Sequence, residues 1–173
     1  MFDKINIRCI LSDHLDTLKN DNTSKAEGKD YLLFLAFPLV LPAVLLWFHV
    51  FLSESLINIL ITSLAIFVGL LLNVMVVIFD IIKKNDDKLK LRLIKETYSN
   101  ISFAILLSIF TIIPLIGCYV KVYAIHSCSF RGVISGVCNG LSYYLLALFF
   151  VTLLMIVKRV HIILTNEMNS NRG

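Results

Sequence analysis

Charge is scarce in this chain. Asp, Glu, Lys and Arg make up 16% of its 173 residues, and none falls deep inside any of its long apolar blocks, where transporters and proton pumps keep the ionisable groups of their pathways. Small multidrug exporters, which also have four helices, depend on a membrane-embedded Glu in the first helix, and the first apolar block here has no acid. The four histidines are equally uninformative for catalysis. His49 and His161 are expected on opposite sides of a membrane, and no nucleophile is paired with a base, so the expectation is a non-enzyme with no catalytic residue. Four cysteines with His126 as the only nearby imidazole match no zinc spacing, so neither metal nor cofactor is expected. Tyr98 is the only aromatic side chain amid the central basic residues, too little for direct nucleic-acid binding. Strictly alternating segments, which a β-barrel requires, are absent.

What is abundant is apolar sequence. Hydrophobic residues make up 58% of the chain and its mean hydropathy is +0.84, above the soluble range. They form blocks near the ~20 residues that cross ~30 Å of hydrocarbon. Because backbone polar groups in lipid must pair within their own segment, the blocks are read as helices. The expectation is an all-α integral membrane protein with four transmembrane helices at about 31–52, 56–82, 101–120 and 137–157. These lie in a transmembrane domain, 31–160, with a central connector at 83–100 and an external loop at 121–136. Tails at 1–30 and 161–173 flank it.

Orientation follows from the basic residues, since short loops rich in Lys and Arg stay cytoplasmic. Fourteen of the 16 lie in the N-terminal tail, in the connector and after the last span, where Lys158 and Arg159 join Arg172, and only Lys121 and Arg131 lie on the other side. Both termini are therefore placed inside, in a multi-pass protein of the bacterial inner membrane. Lys83, Lys84, Lys88, Lys90, Arg92 and Lys95 of the connector are candidates for docking a partner or lipid headgroups. In the N-terminal tail, Phe2, Ile5, Cys9 and Ile10, followed by Leu11, Leu15 and Leu18, suggest an amphipathic helix that lies on the bilayer or packs against a partner; the alternative is a marginal, partly disordered tail.

Three further features concern packing. Gly132, Gly136 and Gly140 recur every fourth residue and lead into the last span, as in small-xxx-small seams. Asn73 stands in the middle of the second span as an interhelical hydrogen-bonding group. Both point to helix association and a homo-oligomer. Cys118, Cys128 and Cys138 cluster near the outer face, where Cys128 could bridge Cys138 or Cys118 in an oxidising periplasm; three unbridged apolar side chains are the alternative. Pro38, Pro42 and Pro114 permit kinks.

In size, four-helix topology and bare cytoplasmic segments, with Tyr31 to Val157 carrying the likeness, the chain resembles the small membrane subunits of bacterial anti-phage systems, of the KwaA type found in Kiwa. The resemblance implies a homo-oligomeric sensor of envelope attack, coupled to a cytoplasmic, DNA-binding partner of the KwaB kind. It carries over no site residue. A pore-forming, holin-like effector that depolarises the membrane is the runner-up, and a membrane enzyme of unknown class comes third.

Overall fold

A computed structural model describes residues 7–16, 28–48, 50–84, 88–124 and 131–170. They form five helices: α1 (Ile7–Asp16), α2 (Gly28–Trp47), α3 (Glu54–Lys84), α4 (Lys88–Ala124) and α5 (Arg131–Ser170). Three of them contain stretches long and apolar enough to cross a membrane, Glu54–Asp80, Leu91–Val120 and Ser135–Ile163, and a shorter apolar stretch, Ala36–Trp47, lies in α2.

The helices run well past the apolar blocks. α4 begins at Lys88, so most of the expected connector is helical, and α5 continues to Ser170 through most of the expected C-terminal tail. Hydropathy marks where lipid contact ends, whereas helix hydrogen bonding continues into water when no Gly or Pro interrupts it. α2 stops at Trp47, short of the expected 52. The Val50 N–H closes it by donating to the Leu45 carbonyl at 2.9 Å, a 6→1 bond of the kind that ends helices.

Among the described residues the packing order is α2, α5, α4, α3, with α1 laid on α4. The sequence neighbours α2 and α3 thus occupy opposite edges of the layer. The connector at 48–53 joins them.

A heptad spacing organises the core. On α4 the residues Ile94, Thr97, Ile101, Ala104, Ser108, Thr111, Leu115 and Cys118 are all buried, at alternating steps of three and four that keep one seam facing its neighbour. Ile57, Leu64, Leu71 and Ile78 repeat every seven residues on α3. Asn139, Ser142, Leu146, Phe149 and Ile156 hold the facing seam of α5. The buried hydroxyls are satisfied within their own helices: Ser108 donates to the Ala104 carbonyl at 2.8 Å, Thr111 to Leu107 at 2.7 Å and Thr152 to Leu148 at 2.9 Å. With Ala104, these small side chains let the two backbones approach closely. Pro38, Pro42 and Pro114 are buried and the helices run through them without interruption.

Candidate functional site

The polar groups that connect different helices gather at two ends of the layer. At the end that carries the basic α3–α4 connector, Ile10 and His14 lie one turn apart on α1. His14 is fully buried, its ring stacked on Phe103 of α4 with centroids 3.9 Å apart and planes 8° from parallel. Its Nδ1–H donates to Asn100 Oδ1 at 2.8 Å, and Asn100 is itself fully buried. Burial pulls the imidazole down from its ordinary 6.5 to about 4; the Asn100 bond opposes this and the Arg159 guanidinium adds to it. At neutral pH the ring is therefore an uncharged packing group.

The same cluster ties in α5. Arg159 contacts Glu96 of α4 at 3.0 Å, and Glu96 also accepts from Arg92 Nε at 3.2 Å. Arg159 and Glu96 are mostly shielded, whereas Arg92 is 59% exposed. A cleft of about 450 Å³ opens beside the cluster. Ile10 and Asp13 of α1 form one wall, and Arg92, Lys95, Glu96 and Ser99 of α4 line the other.

At the far end the α2–α3 connector is pinned to α5. The Leu52 N–H donates to Asn139 Oδ1 at 2.9 Å, and the Tyr143 hydroxyl donates to the Val50 carbonyl at 3.2 Å. Asn139 Nδ2 donates in turn to the Ser135 carbonyl at 2.8 Å, which fixes the amide. The Tyr119 hydroxyl of α4 donates to Glu54 Oε1 at 3.4 Å, at the start of α3.

The glycines separate. A Cβ built on Gly140 meets Leu46 Cδ1 of α2 at 3.1 Å, whereas one on Gly136 meets nothing within 4 Å. Gly132 lies in the first turn of α5, with its surroundings outside the described residues. Cys118 is buried on α4 and Cys138 half-buried on α5, while Cys128, on which both disulfide pairings depend, lies outside the described residues. Of the six basic connector residues, Arg92 and Lys95 are exposed on α4. Lys83 and Lys84 end α3, Lys88 and Lys90 begin α4, and their side chains lie outside the described residues.

Asn73 belongs to a larger pattern. α3 packs only on α4 among the described residues, and 17% of its apolar window is buried, against 50% for α4. On its uncovered side Asn58, Thr62, Ala65, Gly69, Asn73, Val76 and Asp80 are all exposed. At 3.6 residues per turn they fall within a sector about 80° wide. Every one but Val76 is polar or small, while the rest of the exposed surface of α3 is dominated by large apolar side chains such as Ile59, Ile66, Leu70 and Val77.

The expectations reached Asn73 and the connector but passed over His14, Asn100, Arg159, Asn139 and Tyr143. Asn139 of α5 stands at a seam position, whereas Asn100 lies off the α4 seam and is buried by α1. Among the described residues no group of three or more His, Cys, Asp or Glu side chains is placed to hold a metal ion. Comparison of the chain with protein-family models, with curated proteins and with solved structures returns no match.

Proposed function

We propose that this chain is a non-enzymatic membrane sensor or scaffold subunit that works by associating with copies of itself through α3. In this reading α2 to α5 all cross the bacterial inner membrane, and both termini and the basic connector face the cytoplasm. The observation that carries it is the uncovered polar and small sector of α3. In lipid an exposed amide has no water to bond, so covering that sector relieves a cost that covering Ile59 or Leu70 does not. A parallel copy suits the sector because an Asn amide both donates and accepts, and Ala65 and Gly69 permit close approach. The Kiwa-type resemblance supplies the setting, an anti-phage envelope sensor whose cytoplasmic partner docks at Arg92, Lys95 and the neighbouring lysines.

The test is disulfide cross-linking in native membranes, with single cysteines placed on α3 of a cysteine-free parent. Cysteines at Ala65, Gly69 and Val76 should give dimers, and cysteines at Ile59, Leu70 and Val77 should not. Asn73→Leu should weaken the association by about 0.6 to 2 kcal/mol. Equal cross-linking around the helix would sink the proposal.

One observation favours the runner-up. Asn58 to Asp80 spans about 33 Å of helix, so several copies turning this sector to a common axis would line a polar track through the bilayer. Such a pore collapses the membrane potential of expressing cells, whereas a sensor lacking its partner leaves it intact.

A further inference from the structure

We infer that Trp47, Phe48 and Phe51, at the end of α2 and in the connector that follows it, form an aromatic lip that seats in the outer leaflet where headgroups meet acyl chains, with phospholipid as its occupant. This rests on the reading of α2 as a span and not on the self-association of α3.

Polar contacts between helices fix the depth of the lip. Glu96 of α4 meets Arg159 of α5 at one end of the layer. At the other, Tyr119 of α4 meets Glu54 at the start of α3, and Asn139 of α5 accepts from the Leu52 N–H. From Glu96 to Tyr119 helix α4 rises about 35 Å, and from Asn139 to Arg159 helix α5 rises about 30 Å. Both lengths match the ~30 Å of a hydrocarbon core. The two levels therefore mark its boundaries, and the connector lies at the boundary away from the basic end.

The length of α2 points the same way. Its apolar part, Tyr31 to Trp47, is about 25 Å long, some 5 Å short of the hydrocarbon. Leu46 lies against Gly140, next to Asn139, where an added Cβ would meet its Cδ1 at 3.1 Å, so the end of α2 is held close to the outer level. A short span is accommodated by thinning of the bilayer or by flanking side chains that reach the interface. Trp47, Phe48 and Phe51 stand where such side chains are needed.

Their chemistry selects the boundary over the phases on either side. Trp47 is 82% exposed, Phe48 72% and Phe51 52%. Water would leave three large rings wet, and the hydrocarbon centre would deprive the indole N–H of every acceptor. At the boundary the rings lie among acyl chains while the N–H donates to an ester carbonyl or phosphate oxygen. The Tyr143 hydroxyl holds the Val50 carbonyl at 3.2 Å, so the connector presents the lip from a fixed position on α5. No Lys or Arg occurs between Asp30 and Lys83, and the lip accordingly recognises the acceptors common to all phospholipids rather than the charge of one headgroup.

Trp47 is the single tryptophan, so its fluorescence reports the lip directly. The test reconstitutes the full chain in phosphatidylcholine vesicles whose acyl chains carry bromine near the carbonyl end or near the methyl end. Bromine near the carbonyl end should quench Trp47 more strongly. Trp47→Phe combined with Val40→Trp should reverse that order, because Val40, 58% exposed, lies about 10 Å deeper along α2. Trp47→Phe combined with Phe51→Trp, which moves the reporter within the lip, should keep the order of the parent. Stronger quenching of Trp47 by the deep bromine would overturn the inference. So would protection of Trp47 from both bromines and from aqueous acrylamide, the result expected if a second copy or another protein covered the lip. Escape of Trp47 from both bromines while the reporter at position 40 is quenched would remove the lip and leave α2 a span; escape at both positions would remove the span as well.

Discussion

Acidification should release α1 from α4. His14 carries an ordinary value of 6.5 when α1 is undocked and about 4 when it is buried against Asn100 and Phe103. The docked form therefore binds fewer protons, and its stability is complete above about pH 6.5 and lost as pH falls from there toward about 4. At ~1.36 kcal/mol per tenfold difference in proton affinity, the loss between about pH 7.5 and about pH 5 is ~2 kcal/mol, a change of about 30-fold in the docking equilibrium. Arg159, close enough to depress the His14 value, opposes the imidazolium, and Asp13 and Glu96 are the carboxylates at the neighbouring cleft. The assay is hydrogen exchange of the Ile7–Asp16 amides, corrected for the intrinsic pH dependence of exchange. Protection should fall by about the stated factor in the parent. In His14→Phe, which keeps an aromatic ring over Phe103 but cannot titrate, protection should stay flat. An equal fall in both proteins, or none in the parent, would refute the reasoning.

The glycines of α5 give a paired comparison. Gly136→Ala should raise the melting temperature in detergent, since nothing opposes the ~0.5 to 1 kcal/mol of helix propensity it gains. Gly140→Ala should not, because its Cβ would press Leu46 at 3.1 Å, and Gly140→Ile should destabilise by about 1 to 3 kcal/mol through overpacking against α2. Equal shifts for the two alanine variants would show that α2 does not seat on Gly140. At the connector, Asn139→Leu removes the acceptor of the Leu52 N–H and should cost about 1 to 3 kcal/mol, read as an earlier melt. Asn73→Leu in the same assay should leave the melt of the isolated chain unchanged, since its side chain is exposed.

The apolar blocks were legible because length and hydropathy alone mark them. Which side of each block faces protein was not, since Leu and Ile serve lipid and core equally well. On α4 the discriminating residues are Thr97, Ala104, Ser108 and Thr111, all buried; smallness rather than hydrophobicity identifies the seam. The tail shows the same limit. Its apolar spacing suggested a stripe through Leu11, yet Leu11 is 44% exposed and the buried group is His14, one turn beyond Ile10 and polar. A four-residue glycine spacing drifts about 40° per step around a helix, which is why Gly136 and Gly140 share a side of α5 but only Gly140 meets α2. The polar sector of α3 can be drawn on a helical wheel, but its exposure follows from α2 and α3 taking opposite edges of the layer, a consequence of the connector that no local pattern carries.

That arrangement makes α4 the common element. α1, α3 and α5 all pack on it, and the His14, Glu96 and cleft contacts fall within its residues 92–103. Displacing α1 would uncover Asn100 and Phe103, the two α4 side chains that hold His14. Ile94, Ile101 and Leu115 of α4 share one apolar core with Ile57, Leu64 and Leu71 of α3, the helix whose other side carries Gly69 and Asn73. Coupling of this kind requires only that docking of α1 and association of α3 favour different placements of one helix. Under the proposed sensor reading, the packing of α4 is where a signal would pass, in a chain whose described residues offer uncharged seams, rather than buried ion pairs, at the middle of the layer.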